Sequence, residues 1–217
     1  MKQVFSIFFA VAIGVLTLTS CGGPSGNKVD SGDAQSADGA ANGDVYTVDL
    51  TNSVIEWSGA KIAYGHNGLM SLSSGNLVMN GDNITGGEFT IDMNSIVNVD
   101  IEDPEKNEQL VGHLMSEDFF ETSTYPTAKF VVTGAQKGEG NSHAITGNLT
   151  LKETTRSISF NADVVVDAGV VTAVTPQFVI DRSEWNVRFG SKSFFNDLKD
   201  DFIKDEIGLV IKLTARK

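Results

Sequence analysis

The chain is predicted to be an all-β protein, built from short antiparallel strands as a sandwich or an up-and-down barrel. Over most of residues 45–217, apolar and polar side chains alternate with the period of a strand that has one buried face. Clusters of Gly, Asn and Asp at Asn80–Asn83, Lys137–Asn141 and Asp167–Gly169 separate these runs, as tight turns do. No repeat or Pro- or Gly-rich break divides the region, so residues 45–217 are predicted to form one domain.

The first 20 residues are predicted to be a lipoprotein signal peptide. Lys2 supplies a positive charge, and the apolar run Val4–Leu18 would span only about 22 Å as a helix, less than the hydrocarbon core of a bilayer. The run ends in Leu18-Thr19-Ser20-Cys21, which resembles the lipobox of bacterial lipoproteins and contains the only cysteine. Cleavage before Cys21 would make this residue the lipid-modified N-terminus. The alternatives are an uncleaved anchor, a buried helix or a plain signal peptide.

Residues 21–44 are predicted to be the lipidated Cys21 followed by a flexible tether. The segment is rich in Gly, Ala, Ser and Asp, and Val29 is its only bulky apolar side chain. Such a composition buries too little apolar surface to offset the entropy of ordering the chain. Gly22 and Gly23 are not the acidic residues that favour inner-membrane retention, so we expect an outer-membrane anchor that faces the periplasm. The alternative for this stretch is a folded lead segment.

The strands follow one another along the domain. Alternating apolar positions occur at Ile55 and Trp57, at Leu77 and Met79, from Phe89 to Met93, from Ile145 to Leu151, from Ile158 to Val166, at Phe178 and Ile180, and from Leu209 to Leu213. A further strand that contains Phe130 is expected after the turn at Tyr125-Pro126.

One segment departs from the period of two and predicts a helix over Pro104–Met115. Asp103 can cap its first turn, proline suits its first position, and apolar residues recur in it at four-residue spacing. A second short helical piece is predicted near Phe195–Ile203 from the spacing of Leu198 and Phe202.

Charge and motif content exclude several classes of function. The net charge is −12 at pH 7, and loss of Lys2 with the signal peptide makes it −13, so nucleic acid and anionic lipid surfaces are poor partners. The chain has no nucleophile elbow, no phosphate loop and no histidine pair at metal-ligand spacing. We therefore predict no enzyme activity, no cofactor and no metal. A hydrolase that uses a scattered pair of carboxylates is the remaining catalytic alternative.

From Trp57 onward, the motifs of this chain resemble those of the YceI-like family, in the same order. The resemblance is carried by Trp57, His66, Gly68, Gly87–Ile96, His113–Phe120, Tyr125–Phe130, Gly147–Lys152, Thr154–Arg156, Phe178 and Asp181-Arg182. The block from His113 to Phe130 is its most specific part, and the resemblance covers essentially all of residues 45–217. It implies an eight-stranded antiparallel, lipocalin-like β-barrel with one or two short helices.

The resemblance also implies a function and a binding site. Members hold a polyprenyl chain, an isoprenoid quinone or a fatty-chain ligand inside the barrel, so we expect a membrane-tethered periplasmic carrier, with a homodimer also allowed. The side chains expected to line the cavity are Trp57, Phe89, Ile91, Phe119, Phe120, Phe130, Phe160, Phe178 and Ile180. Contacts to a ligand headgroup are expected from His66, His113, Arg156 and Arg182.

Each of these residues also has a simpler interpretation. A packed core would use the same Phe residues, His66 fits a turn, His113 fits a hydrogen bond at a helix exit, and both arginines fit surface ion pairs.

One departure from the family is Glu153, where a glycine is usual. A glutamate at this position needs a turn that does not require a positive φ. The functional alternative is a ligand-free module with a collapsed barrel, which binds an envelope protein through its acidic surface.

Overall fold

The computed structural model describes residues 23–37 and 41–217, so the predicted signal peptide and the lipidated Cys21 lie outside the described residues. The described residues form twelve β-strands, one α-helix and one 3₁₀ helix. The strands are β1 (Asn27–Lys28), β2 (Gly32–Asp33), β3 (Asp44–Val48), β4 (Val54–Ala60), β5 (Gly65–Asn80), β6 (Asn83–Asn98), β7 (Thr127–Lys137), β8 (Ser142–Leu151), β9 (Thr154–Asp167), β10 (Val170–Val174), β11 (Phe178–Asp181) and β12 (Glu206–Arg216). The α-helix α1 spans Pro104–Met115, and the 3₁₀ helix spans Arg182–Trp185.

Strands β3 to β12 form one antiparallel sheet that closes on itself. Each strand from β5 to β9 pairs with the next along the chain. The last strand, β12, pairs with β10 and β11 along one edge and with β3 and β4 along the other. Because β3 and β4 share one position and β10 and β11 share another, these ten strands occupy eight positions around a barrel. The predicted all-β, lipocalin-like fold is confirmed.

The helix lies at one end of the barrel, which we call the helix end. Asp103 accepts hydrogen bonds from the backbone N–H groups of Glu105 and Lys106, at 3.0 and 3.2 Å, and Pro104 occupies the first turn. The prediction of α1 is therefore confirmed at both of its ends. The loops over residues 61–64, 152–153 and 182–205 lie at the same end, because each follows a strand that runs toward α1. None of the helices among the described residues is long and apolar enough to cross a bilayer.

The second predicted helical piece, near Phe195–Ile203, does not form. Residues 190–205 are an irregular loop, and Lys199 in the middle of it has a φ of 48°, a conformation that interrupts a right-handed helix. The short helical element is instead the 3₁₀ helix, which Asp181 caps through the backbone N–H of Ser183 and which ends at Asn186 with a φ of 62°. The spacing of Leu198 and Phe202 therefore does not define one face of a helix, because the left-handed conformation at Lys199 separates them.

The turn between β8 and β9 takes its positive φ at Lys152, where φ is 52°, and not at Glu153. The departure from the family pattern at Glu153 therefore does not place a left-handed conformation on that residue. The side chain of Lys152 is largely covered, and its Nζ lies 3.3 Å from Oε2 of Glu121. This ion pair ties the turn to the segment that follows α1.

Part of the predicted flexible tether is ordered against the barrel, and the structure differs there from the prediction. We call residues 25–35 the strap. Strand β1 pairs parallel to β11, and β2 pairs antiparallel to the first half of β9. Within the strap, Val29 packs against the hydrophobic core. Strand β10 pairs only with residues 163–167 of β9. Closer to the helix end, β9 and β11 are not paired with each other, and the strap fills the seam between their backbone edges.

Candidate functional site

The interior of the barrel contains a cavity of about 440 Å³. Its volume is in the range of cavities that hold drug-sized ligands. Strands from every position around the barrel contribute to its wall. All nine side chains predicted to line it do so: Trp57, Phe89, Ile91, Phe119, Phe120, Phe130, Phe160, Phe178 and Ile180. Since the rest of the wall is also mostly aliphatic, the cavity fits an apolar chain.

Four aromatic side chains form a continuous band on this wall. Phe89 and Phe130 are opposite partners in the β6–β7 ladder. The ring centroids of Phe130 and Phe160 are 5.5 Å apart, and Phe160 stacks on Phe178 at 4.7 Å with an interplanar angle of 2°. Gly147 on β8 makes this band possible, because a Cβ there would collide with the ring of Phe130. The alternation that places these residues inside was visible in the sequence, and their contact across strands was not.

Trp57 lies close to the backbone of the neighbouring strand. A Cβ at Gly68 would come within 2.6 Å of the indole ring of Trp57, so only glycine allows this packing. The indole Nε1 of Trp57 is buried without a hydrogen-bond partner among the described residues. An unpaired buried donor is costly, and this one lies in a side chain that lines the cavity.

Polar side chains gather where the cavity reaches the helix end, which we call the mouth. The Nδ1 of His66 lies 2.8 Å from Oδ2 of Asp100, and the Nε2 of His113 lies 3.0 Å from Oδ2 of Asp118. The ring of His113 also makes edge-to-face contacts with Phe119 and Phe189, at centroid distances of 4.9 and 4.7 Å. Both histidines predicted to meet a headgroup therefore line the mouth, and each is oriented by a carboxylate.

Asp100 remains ionised because of the groups that surround it. Burial alone would raise its pKa, but hydrogen bonds from the backbone N–H of Asn67, from His66 and from Asn98 outweigh burial and hold the pKa of Asp100 below its ordinary value. The carboxylate can therefore keep the ring of His66 in one orientation at neutral pH.

The two arginines predicted to meet a headgroup do not behave alike. Arg182 lines the cavity, but it is buried and its guanidinium donates to the carbonyls of Val187 and Phe189 at 3.0 and 2.8 Å. It also lies 3.2 Å from Oδ1 of Asp205. Arg156 does not line the cavity, because it pairs on the outside with Asp33 of the strap. The headgroup contact of Arg182 therefore stays a prediction, whereas the structure places Arg156 away from the cavity.

Sequence reasoning missed several residues of the mouth. Lys61, Tyr64 and Lys204 all line it. Tyr64 stands two residues before His66, so that turn could have been assigned to the site as a unit. Lys204 could not have been found, because the loop 182–205 reaches the mouth only in the folded chain. The described residues contain no cluster of three or more side chains suited to hold a metal ion.

Comparisons with known proteins agree on one family. The family model described as a YceI-like domain matches residues 46–215. Over 53 residues, the chain is 43% identical to the UPF0312 protein plu2095 of Photorhabdus laumondii. That match spans 24% of this chain and 27% of the relative, so the chain aligns with about a quarter of the relative's length.

Solved structures share the fold. BcnA of Burkholderia cenocepacia is 24% identical, with a TM-score of 0.62, over 77% of this chain and 99% of that chain. A polyisoprenoid binding domain from Saccharophagus degradans is 20% identical, with a TM-score of 0.60, over 79% of this chain and 97% of that domain. The YceI protein of Campylobacter jejuni is 19% identical, with a TM-score of 0.51, over 68% of this chain and 84% of that chain.

Proposed function

The chain belongs to the YceI-like family, and we propose that it is a carrier that holds one isoprenoid or similar long-chain amphiphile in its barrel. The observation that carries this proposal is the apolar cavity with its band of Phe89, Phe130, Phe160 and Phe178. Each methylene buried in such a wall contributes about 0.8 kcal/mol, so a long tail binds without charged contacts. The structural likeness to a polyisoprenoid binding domain supports the same ligand class.

The polar mouth sets where the headgroup of such a ligand would lie. With the tail against the aromatic band, the headgroup meets His66 and His113, each of which has a carboxylate partner. A headgroup that donates and accepts hydrogen bonds suits this arrangement, because the imidazoles of His66 and His113 and the carboxylates of Asp100 and Asp118 offer both kinds of partner.

The lipid anchor and the compartment belong to the same proposal. The lipobox-like Leu18-Thr19-Ser20-Cys21 supports acylation of Cys21 and retention at the cell envelope, on the outer membrane facing the periplasm. An anchored carrier exchanges its ligand with a membrane close by. The ligand-free interaction module requires a collapsed barrel, whereas the cavity of this barrel is open.

Native mass spectrometry of the mature protein, purified from the envelope of its own host, tests the proposal. We expect a stoichiometric additional mass, which organic extraction identifies as a prenyl or acyl amphiphile. The variant Ala173→Phe fills the cavity from β10 and should lose that mass or carry a shorter chain. Thr172→Phe, on the outer face of the same strand, is the matched control and should keep the ligand.

Two results would contradict the proposal. One is a protein that is free of ligand as purified and stays free after incubation with a lipid extract of its host. The other is equal ligand content in Ala173→Phe and Thr172→Phe, which would place the ligand outside the barrel. The first result would favour the interaction module.

A further inference from the structure

We propose that the helix end of the barrel is a membrane-contact surface, which seats the mouth of the cavity on a lipid bilayer. We call Ile62, Tyr64, Phe189, Phe194 and Phe195 the aromatic rim. The inference rests on the proposed function, because a carrier of an envelope lipid has to receive its ligand from a membrane. Beyond the carrier function, the inference identifies the surface of the protein that faces that membrane and the side chains that touch it.

The exposure of the rim is the first observation. Among the described residues, the exposed aromatic side chains are Tyr64 (55%), Phe189 (38%), Phe194 (38%) and Phe195 (47%), and all four lie in the two loops beside the mouth. Ile62, at 42%, lies in the first of these loops. Tyr and Phe are side chains that occupy the interface between water and lipid. A rim of this kind around an opening indicates a surface that another phase covers.

The two loops form one surface. Nζ of Lys61 lies 2.6 Å from Oδ1 of Asp201, and Lys61 pairs with Ile203 in an isolated β-bridge. Phe189 reaches from the second loop to the ring of His113 in the mouth. The rim is therefore continuous with the wall of the cavity, and an apolar tail can pass between them without entering water.

Cationic side chains lie among the rim residues in the manner of a membrane interface. The guanidinium of Arg188 lies 4.8 Å from the ring centre of Phe194, and Nζ of Lys192 lies 3.7 Å from that of Phe202. Long basic side chains of this kind can cover apolar surface while their charges reach the headgroups. Asp197, Asp200 and Asp201 of the same loop offset these charges. The contact is therefore mainly apolar, and it does not depend on electrostatic attraction between the acidic chain and the headgroups.

The course of the N-terminal segment is the second, independent observation. A Cβ at Gly23 would lie 2.7 Å from Cδ of Lys204, a residue of the mouth, so the described chain begins beside the mouth. Cys21 precedes Gly23 by two residues, which reach at most about 7 Å. An acyl chain on Cys21 would therefore enter the bilayer at the helix end. The anchor and the rim then act on the same face of the protein.

Fluorescence quenching in the acylated full-length protein tests the orientation. The protein is reconstituted in vesicles of phosphatidylethanolamine and phosphatidylglycerol, with or without brominated acyl chains. One variant carries Phe195→Trp in the rim. The matched control carries Val166→Trp, at an exposed position at the opposite end of β9. The emission of the two native tryptophans, Trp57 and Trp185, is measured in the unmodified protein and subtracted. Brominated lipid should then reduce the emission of the tryptophan at position 195 about twofold or more, and leave the emission of the tryptophan at position 166 unchanged.

Equal quenching at the two positions, or stronger quenching at position 166, would overturn the membrane-contact surface. Lipid extracted from the same preparations tests the proposed function separately, because a bound amphiphile with equal quenching overturns only the orientation. If Cys21 carries no acyl chain, flotation with the same vesicles decides the question. Phe194→Ser with Phe195→Ser should then float at least about fivefold less than Val165→Ser with Val166→Ser, and equal flotation overturns the inference.

Discussion

At the scale of single residues, Arg182 and Arg156 show that burial decides the role of an arginine. The side chain of Arg182 is 2% exposed, and burial lowers its pKa while the carboxylates of Asp205 and Asp181 oppose that effect. Its guanidinium joins the 3₁₀ helix to both ends of the loop 182–205, by hydrogen bonds to backbone carbonyls. The side chain of Arg156 is 35% exposed and pairs with Asp33 and Glu184 in contact with water. Of the two arginines, Arg182 makes the buried contacts that hold the loop at the mouth.

We expect Arg182→Met to lower the free energy of unfolding by about 3–5 kcal/mol, because it leaves the carboxylate of Asp205 without its charged partner and four backbone carbonyls without their donor. Arg156→Met should cost about 1 kcal/mol or less, since exposed ion pairs contribute little. Urea denaturation of both variants, followed by tryptophan fluorescence and by circular dichroism, measures the difference. A cost for Arg182→Met no larger than that for Arg156→Met would show that the loop has another support.

At the scale of elements, the strap covers the seam between β9 and β11. It is the part of the fold that the barrel needs least. It makes polar contacts toward both of its ends. The side chain of Lys28 pairs with Asp181 at 3.1 Å, and the backbone of Gln35 exchanges hydrogen bonds with the side chain of Asn148. Its one apolar contact with the core is Val29. A segment held by so few contacts opens locally before the barrel unfolds.

The Lys28–Asp181 pair is a contact of the strap whose strength depends on pH. Burial alone would raise the pKa of Asp181, but hydrogen bonds donated by Ser183 and Lys28 outweigh it and lower the pKa. The contribution of Asp181 is therefore present above its ordinary pKa of 3.8 and is lost as the pH falls through the lower folded value. The hydrogen bond to Asp181 raises the pKa of Lys28, whose contribution is present below 10.5 and is lost above the folded value. Both are intact at neutral pH.

We expect Val29→Ser to accelerate amide hydrogen exchange in residues 27–33 about five- to tenfold at neutral pH, because it removes the apolar contact of the strap. Exchange in β5 to β8 should not change, since each of those strands is paired on both sides within the barrel. Mass spectrometry of peptic fragments measures both regions in one experiment. The control Val165→Ser removes an exposed valine and should alter neither. Unchanged exchange at residues 27–33 would mean that backbone pairing alone holds the strap.

Comparison of α1 with the strap shows what the sequence could predict. The signals for α1 are local, with Asp103 as its cap and proline at its first position, so its bounds were predictable. The alternation that placed Phe89 and Phe160 inside the barrel is equally local. The pairing of β1 with β11 depends instead on where the edges of β9 and β11 diverge, and no pattern within residues 25–35 encodes that edge. The role of Arg182 depends in the same way on carbonyls that converge only in the folded chain.

At the scale of the whole molecule, the two ends of the barrel differ in kind. The opposite end carries the tight turns at residues 81–82, 138–141 and 168–169, whereas the helix end carries α1, the long loop 182–205 and the mouth. The polar contacts of the cavity therefore lie at one end and its apolar wall extends away from them. A ligand with one polar head and a long tail has a single favourable orientation in such a barrel.

Removal of the ligand should destabilise the whole barrel. A ligand present at a hundredfold its Kd, and bound only by the folded chain, adds about 2.7 kcal/mol to the free energy of unfolding. For a domain of this size, that corresponds to a rise in Tm of about 5–10 °C. Protein that has been delipidated should therefore melt lower by this amount in differential scanning calorimetry, and should recover when its extracted lipid is returned.

Two variants show whether this shift comes from the cavity. Ala173→Phe should melt at nearly the same temperature with and without the returned lipid, because its filled cavity leaves no room for the tail, whereas Thr172→Phe should respond as the unmodified protein does. A shift of equal size in Ala173→Phe would mean that the lipid stabilises the protein from the outside. If no protein shows a shift, the folded barrel does not bind the lipid in preference to the unfolded chain, and the carrier function is contradicted.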